Sequence, residues 1–199
     1  MAEEPLLVPQ ETYLNSGIHI GTKFKTKYMS KFIYKTRPDG LSVLNLQQID
    51  YRIKIAIKFL ANYAAEDIVI VSRRENGWKP VKAFHKATKI RTIAGRYPPG
   101  ILTNPALDNY MEAKIIVITD SWPDRNAIKD SLQRGIPIIG LCDTNNQPNN
   151  LDLVVPCNNK GKKSLGLFFY ILAKEYLKAR KVIKSDKDFT FKIEDFTEE

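Results

Sequence analysis

The residues best suited to chemistry are few, and each has a structural role competing with a chemical one. Asp120, Asp124 and Asp143 stand at or just beyond apolar runs, where carboxylates could hold Mg²⁺. Asp124 can equally cap the helix that follows it, and Asp120 and Asp143 can satisfy turn amides. His85 lies in a basic helical stretch and suits a packing or surface role, and His19, between Ile18 and Ile20 near two glycines, suits fixing its loop, both better than general-base catalysis. Cys142 and Cys157 end or follow apolar runs and read as packed thiols. Two cysteines supply neither a disulfide framework nor a tetrahedral metal site. Gly161-Lys162-Lys163-Ser164 resembles a phosphate loop but fails at two places. Pro156 stands where the first glycine belongs, and Lys163 where a Ser or Thr belongs. No Gly-x-Gly-x-x-Gly follows a candidate strand and no Gly-x-Ser-x-Gly elbow occurs. The expectation is no catalytic set, no metal and no cofactor.

The stronger chemical signal is charge. The 199 residues carry a net +9, and the excess lies in three blocks of the chain. Residues 23–37 hold +6, residues 73–97 hold +7 and residues 159–184 hold +7, while residues 185–199 hold −4. Such a balance favours an anionic partner, nucleic acid ahead of a membrane surface. Candidate phosphate contacts are Lys23, Lys25, Lys27, Lys31, Lys35 and Arg37 in the first block and Arg73, Arg74, Lys79 and Arg96 in the second. Lys160, Lys162 and Lys163, with the free N–H groups of a glycine-loosened helix start, complete the set. Phe24, Tyr28, Tyr34, Trp78 and Tyr97 are interleaved with these bases. Most of them are expected to pack in the core, leaving one or two to stack on a base or ribose.

The elements that must position these groups follow from hydrophobic periodicity. Ile68-Val69-Ile70-Val71, Ile115-Ile116-Val117-Ile118 and Ile136–Cys142 are apolar runs of the kind buried on both faces of a parallel sheet. Thr92-Ile93-Ala94 and Leu153-Val154-Val155 are shorter candidates. Helices are predicted from Asp50, over Pro80–Ile90, over Asp124–Arg134 and over Lys163–Ile183. Arg37-Pro38-Asp39-Gly40 between two β-like runs predicts a hairpin. Strands alternating with helices give an open three-layer α/β/α domain. Residues 1–45 form an arm and hairpin, residues 46–184 the α/β/α domain, and residues 185–199 an acidic tail. That tail, with Phe189, Phe191 and Phe196, is expected to lie along a basic neighbouring protein; folding back onto its own domain is the competing outcome. In such a sheet ligands lie at the carboxyl ends of the strands, where Arg73, Arg74, Arg96 and Lys160 fall. A 43% hydrophobic and 27% charged composition is that of a globular chain, and no apolar run reaches membrane-spanning length. The acidic Met1–Pro5 shows no export core, so a reducing, cytoplasmic setting is expected.

Several stretches together resemble the universal small-subunit ribosomal protein S-two family. They are Ser16-Gly17-Ile18-His19-Ile20-Gly21-Thr22, Phe32–Lys35 through Asp39-Gly40-Leu41, and Ala94–Gly100 with Thr103-Asn104-Pro105. Ile118-Thr119-Asp120, Gly135-Ile136-Pro137 with Cys142-Asp143-Thr144-Asn145, and Val155–Gly161 follow in the family's order. The bacterial helical hairpin after Thr103-Asn104 and the long animal C-terminal extension are both missing, so the pattern looks archaeal. Ser121-Trp122-Pro123 departs from the family's usual Pro-Arg-Ala.

The resemblance implies a flavodoxin-like α/β/α sandwich without enzymatic activity. It implies binding to small-subunit rRNA near the head–body junction, neighbouring small-subunit proteins as partners, and support of subunit assembly and translation. Neither membrane association nor a homo-oligomer is expected. The alternative from the fold pattern alone is an α/β transferase acting on a nucleotide or RNA.

Overall fold

The computed structural model describes residues 5–197. Met1–Glu4, which carry most of the export-signal reading, and Glu198 and Glu199 of the tail lie outside them. Among the described residues no helix is long and apolar enough to cross a membrane.

The apolar runs form the strands. After α1 (Gln10–Ser16), β1 (Ile33–Thr36), β2 (Ser42–Leu44) and α2 (Leu46–Leu60) come β3 (Ile68–Ser72), α3 (Glu75–Thr88), β4 (Arg91–Ala94), β5 (Ile115–Ile118), α4 (Arg125–Arg134), β6 (Ile138–Cys142) and β7 (Leu153–Pro156). α5 (Lys162–Ala179) and the short α6 (Ile193–Thr197) complete the order. β3 to β7 form one five-stranded parallel sheet in the order β4-β3-β5-β6-β7, the flavodoxin-like winding. β3 pairs with β4 on one side and β5 on the other, so the chain reverses its winding between β3 and β5.

Side chains alternate across the sheet as the period of a strand demands. Ile68, Ile70, Ile115, Val117, Ile139 and Leu141 pack with α2, α3 and α5. Val69, Val71, Ile116, Ile118 and Ile138 pack on the other face with α4 and with Tyr97, Ile101 and Leu102. That second face is covered by one helix and the irregular segment 97–113.

The predicted hairpin forms as β1 and β2, antiparallel, with Gly40 in the left-handed region at φ +84. Its turn closes through Arg37 N–H to Leu41 O at 2.8 Å. The helix expected from Asp50 begins at Leu46 instead. Asn45 is its cap, accepting from Gln47 N at 3.0 Å. Asp50 is buried one turn in, where it accepts from Tyr13 Oη at 2.8 Å and Leu7 N at 2.9 Å and pairs with Lys54 at 3.0 Å. An acid read as a helix start thus ties the N-terminal segment to α2.

The helix expected over Pro80–Ile90 starts earlier, at Glu75, because Gly77 lets its first turn lie against the end of β3. A Cβ at Gly77 would stand 2.2 Å from Ser72 Oγ. Asp124 occupies the cap position of α4, but its side chain does not cap the helix. It faces the sheet, as described below.

The tail takes the competing outcome and folds back. Phe189 and Phe196 ring Tyr170 at 5.6 and 5.9 Å between centroids, and Phe196 is fully buried. Asp186 pairs with Lys174 at 2.7 Å and also with Lys178. α6 reaches α5 at Gly166, where a Cβ would meet Thr197 Cγ2 at 2.2 Å.

Candidate nucleic-acid interface

The carboxyl edge of the sheet is where this winding places a ligand crevice. Here the chain's own polar side chains fill it. At the reversal between β3 and β5, Arg74 Nε donates to Asp120 Oδ2 at 2.5 Å, with a second guanidinium nitrogen on the same oxygen. Asp120 Oδ1 accepts from Asn146 Nδ2 at 2.9 Å and from Trp122 N at 3.0 Å. Thr119 Oγ1 donates to Ser72 Oγ at 3.0 Å, bridging the two strand ends. Asp124 accepts from Arg73 N at 3.0 Å, and burial pushes its carboxyl up to about 7 against the pull of those hydrogen bonds. Between β6 and β7, Lys160 Nζ lies 2.8 Å from Asp143 Oδ2 and 2.9 Å from Asn145 Oδ1. Asn159 Nδ2 donates to Asn146 Oδ1 at 3.1 Å and joins the two halves.

Asp120, Asp124, Asp143, Asn146 and Asn159 are all buried. A buried carboxylate needs a cation or donors to offset its lost hydration. Arg74 and Lys160 supply the cations, so Asp120 and Asp143 are committed to ion pairs. The two carboxylates that a ligand or metal would use at this edge, Asp120 and Asp143, are paired instead with Arg74 and Lys160.

The remaining chemistry candidates are structural as well. His85 Nδ1 meets Ile90 O at 2.6 Å at the end of α3. Burial, with Arg37 nearby, lowers the pKa of His19. Burial raises both cysteine thiols, so neither is a thiolate nucleophile.

The arm lies over this filled edge. Thr26 N donates to Thr144 O at 2.9 Å, Thr22 N to Thr144 Oγ1 at 2.9 Å, and Thr26 Oγ1 to Asn146 O at 3.0 Å. Asn158 N donates to Ile18 O at 2.9 Å. These bonds hold the segment carrying Lys23, Lys25 and Lys27 at the ends of β6 and β7, with all three side chains exposed. Lys23 runs 3.8 Å from a Cβ placed at Gly40, so the hairpin turn with Lys35 and Arg37 adjoins the same strip. Asn76 Nδ2 donates to Lys160 O at 2.7 Å and draws the start of α3 to the loop before α5.

The structure therefore brings together bases from all three blocks. Lys23, Lys25, Lys27, Lys35, Arg37, Arg73, Arg96 and Lys163 are exposed; Lys163 lies in the first turn of α5, while Arg96 follows β4, the edge strand on the opposite side of the sheet from β7 and the arm. Arg74 and Lys160 are half-buried anchors of the network. Lys31 is spent partly on its own arm, 3.7 Å above the Tyr28 ring. Lys79 and Lys162 turn toward the tail, lining a groove with Lys82, Lys86, Glu194 and Asp195. The aromatics reverse their expectation. Phe24 is 80% and Tyr34 70% exposed, Tyr28 and Trp78 are also exposed, and Tyr97 alone of the five is buried. Sequence reasoning missed the amide network of Asn146 and Asn159. Its signal was the run of amides after β6 and β7, which marks polar strand ends but not their mutual pairing.

The sequence profile of the family described as Ribosomal protein S2 matches residues 13–112 and 107–179. The chain belongs to the ribosomal protein S2 family. The matched spans take in most of α1, the arm, all five sheet strands and α5, and stop short of α6. Archaeal relatives agree. The small ribosomal subunit protein uS2 of Picrophilus torridus is 46% identical over 98% of this chain and 98% of its own length. Those of Nanoarchaeum equitans and Methanococcus maripaludis strain C5 are 46% and 45% identical, each over 96% of this chain and over 94% and 87% of their own lengths. In this ribosomal protein S2 chain the polar network and the arm meet at the same strand ends.

Proposed function

We propose that this chain is a structural, non-enzymatic constituent of the small ribosomal subunit. It binds small-subunit rRNA near the head–body junction, contacts neighbouring ribosomal proteins, and acts in the cytoplasm without forming a homo-oligomer. The observation that carries this reading is the arm, hydrogen-bonded across a filled strand-end crevice so that its lysines face outward beside Arg73 and Lys163. Fixed cations on a rigid rim suit an RNA backbone, whose phosphates supply charge without requiring a pocket. Arg74 and Lys160 act through the aspartates they neutralise, holding the rim in shape, while Lys23, Lys25, Lys27, Lys35, Arg37, Arg73, Arg96 and Lys163 meet phosphate. Lys31, Lys79 and Lys162 lie at the margins. Specificity then comes from RNA shape matched to this fixed layout.

Sedimentation of a cell lysate tests the reading. The chain should travel with the small subunit and leave it in high salt; a chain that stays at the top of the gradient would refute it.

A further inference from the structure

Trp122 stands in the middle of Ser121-Trp122-Pro123, where the chain departs from the pattern it otherwise resembles, and its placement is unusual for an indole. It is 63% exposed, on the loop that leaves β5. The loop is not slack. Trp122 N donates to the buried Asp120 at 3.0 Å, Ser121 Oγ donates to Gln147 O at 3.4 Å, and Asn146 Nδ2 reaches Ser121 Oγ at 3.2 Å. The backbone entering Trp122 is thus tied to the same polar network, and beyond the ring Asp124 N donates to Asp120 O at 3.2 Å. Beside the ring runs a shallow groove of about 310 Å³. Its walls carry Arg125 and Lys129 on α4, Gln147, Asn149 and Asn150 on the facing loop, and Ile128 and Leu132 beneath. Both cations are exposed. No carboxylate lines the groove.

We propose that this groove is a seat for an unpaired RNA nucleotide, the base stacked on Trp122 and the flanking phosphates held by Arg125 and Lys129. A stacked base needs an aromatic face whose solvent exposure costs nothing to remove and whose position is already set. Trp122 offers an exposed face on a residue whose backbone N–H is held by buried Asp120. Arg125 and Lys129 line the same groove, four residues apart on α4, the spacing that puts side chains on one helical face. The side-chain amides opposite offer both donors and acceptors to a base edge. An apolar side chain of a neighbouring protein could also cover the indole. The acid-free, dicationic rim favours a polyanion over it.

This inference rests on the rRNA-binding reading, and the test separates the two. The intact chain, wild type and W122A, W122Y and R125A/K129A variants, is titrated with a single-stranded oligoribonucleotide, a duplex RNA of equal length and the small-subunit rRNA. Indole fluorescence and affinity are both read, with thermal unfolding confirming that each variant folds. The single strand should quench the indole emission of the wild type and the duplex should not. W122A should lose the quench and about tenfold in affinity for the single strand, the size of one base–aromatic stack. W122Y should recover most of that affinity, and R125A/K129A should keep the quench while flattening the salt dependence by roughly two phosphates' worth. Equal binding of the single strand by wild type and W122A overturns the seat while leaving rRNA binding intact. Failure of the wild type to bind the rRNA at all overturns both. If W122A binds every RNA normally but loses a protein from purified subunits, the groove is a protein contact and the seat is refuted.

Discussion

Arg74 on the loop after β3 and Asp120 after β5 are joined across the point where the sheet reverses its winding, guanidinium to carboxylate, with Nε to Oδ2 at 2.5 Å. Asp120 is fully buried and Arg74 partly exposed, so the arginine serves the aspartate. In doing so it spans the reversal point, where such windings seat ligands. A basic edge that could have been a cofactor site becomes a braced rim.

Removing that brace should be costly. Arg74→Ala leaves a buried carboxylate without its cation, and a loss of about 2–4 kcal/mol in unfolding free energy is expected, discounted for the exposed side of the pair. Urea denaturation measures it. Asp120→Asn with Arg74→Ala should recover part of the loss, since no bare charge then remains.

Asp124 sets a pH dependence of unusual sign for a carboxylate. Its pKa is raised to about 7 in the fold by burial, against 3.8 for the unconstrained group. Between those values the folded state holds a proton that the unfolded state has released. The group's contribution is therefore full below about pH 4, falls as pH rises toward 7, and stays lost above it. Asp124→Asn should remove this slope. The difference between wild-type and variant stability, followed from pH 4 to 8, should change by about 2–4 kcal/mol over that window.

The folded-back tail gives a prediction about charge. Gly166→Ala places a methyl where Thr197 stands and should lift α6 from α5. Phe196→Ala should do the same by emptying a buried site, at a cost of about 3 kcal/mol. Limited proteolysis should then cut after residue 184. With Glu194 and Asp195 gone from the groove of Lys79, Lys82 and Lys86, non-specific RNA binding should tighten and become more salt-sensitive.

What was legible in the sequence divides along physical lines. Ile68–Val71 and Ile115–Ile118 announced themselves because a strand buried on both faces has to be apolar at every position. Asp39-Gly40 announced the hairpin because few dipeptides accept its turn. Asp50 and Asp124 did not, since an aspartate that caps its own helix and one that accepts bonds from a distant segment look alike until the partner is known. The acceptors for Tyr13 and Arg73 lie 37 and 51 residues away. The three basic blocks were visible as blocks, but not the division of Arg74 and Lys160 from the outward bases. That division depends on which carboxylates the winding buries beside them. The exposure of Phe24 and Tyr34 was likewise hidden, because an aromatic on an arm has no periodicity to betray which side it faces.

The arm makes the most direct claim. Binding of the intact chain to small-subunit rRNA, titrated over a series of salt concentrations, should give a linear fall of log K against log salt with a slope of about −7, roughly eight phosphates. The K23A/K25A/K27A variant should bind more weakly and lose about two to three units of that slope, while the fold and its thermal unfolding stay unchanged. A flat salt response in the wild type, or a slope untouched by the triple substitution, would contradict the assignment of this rim to RNA phosphate.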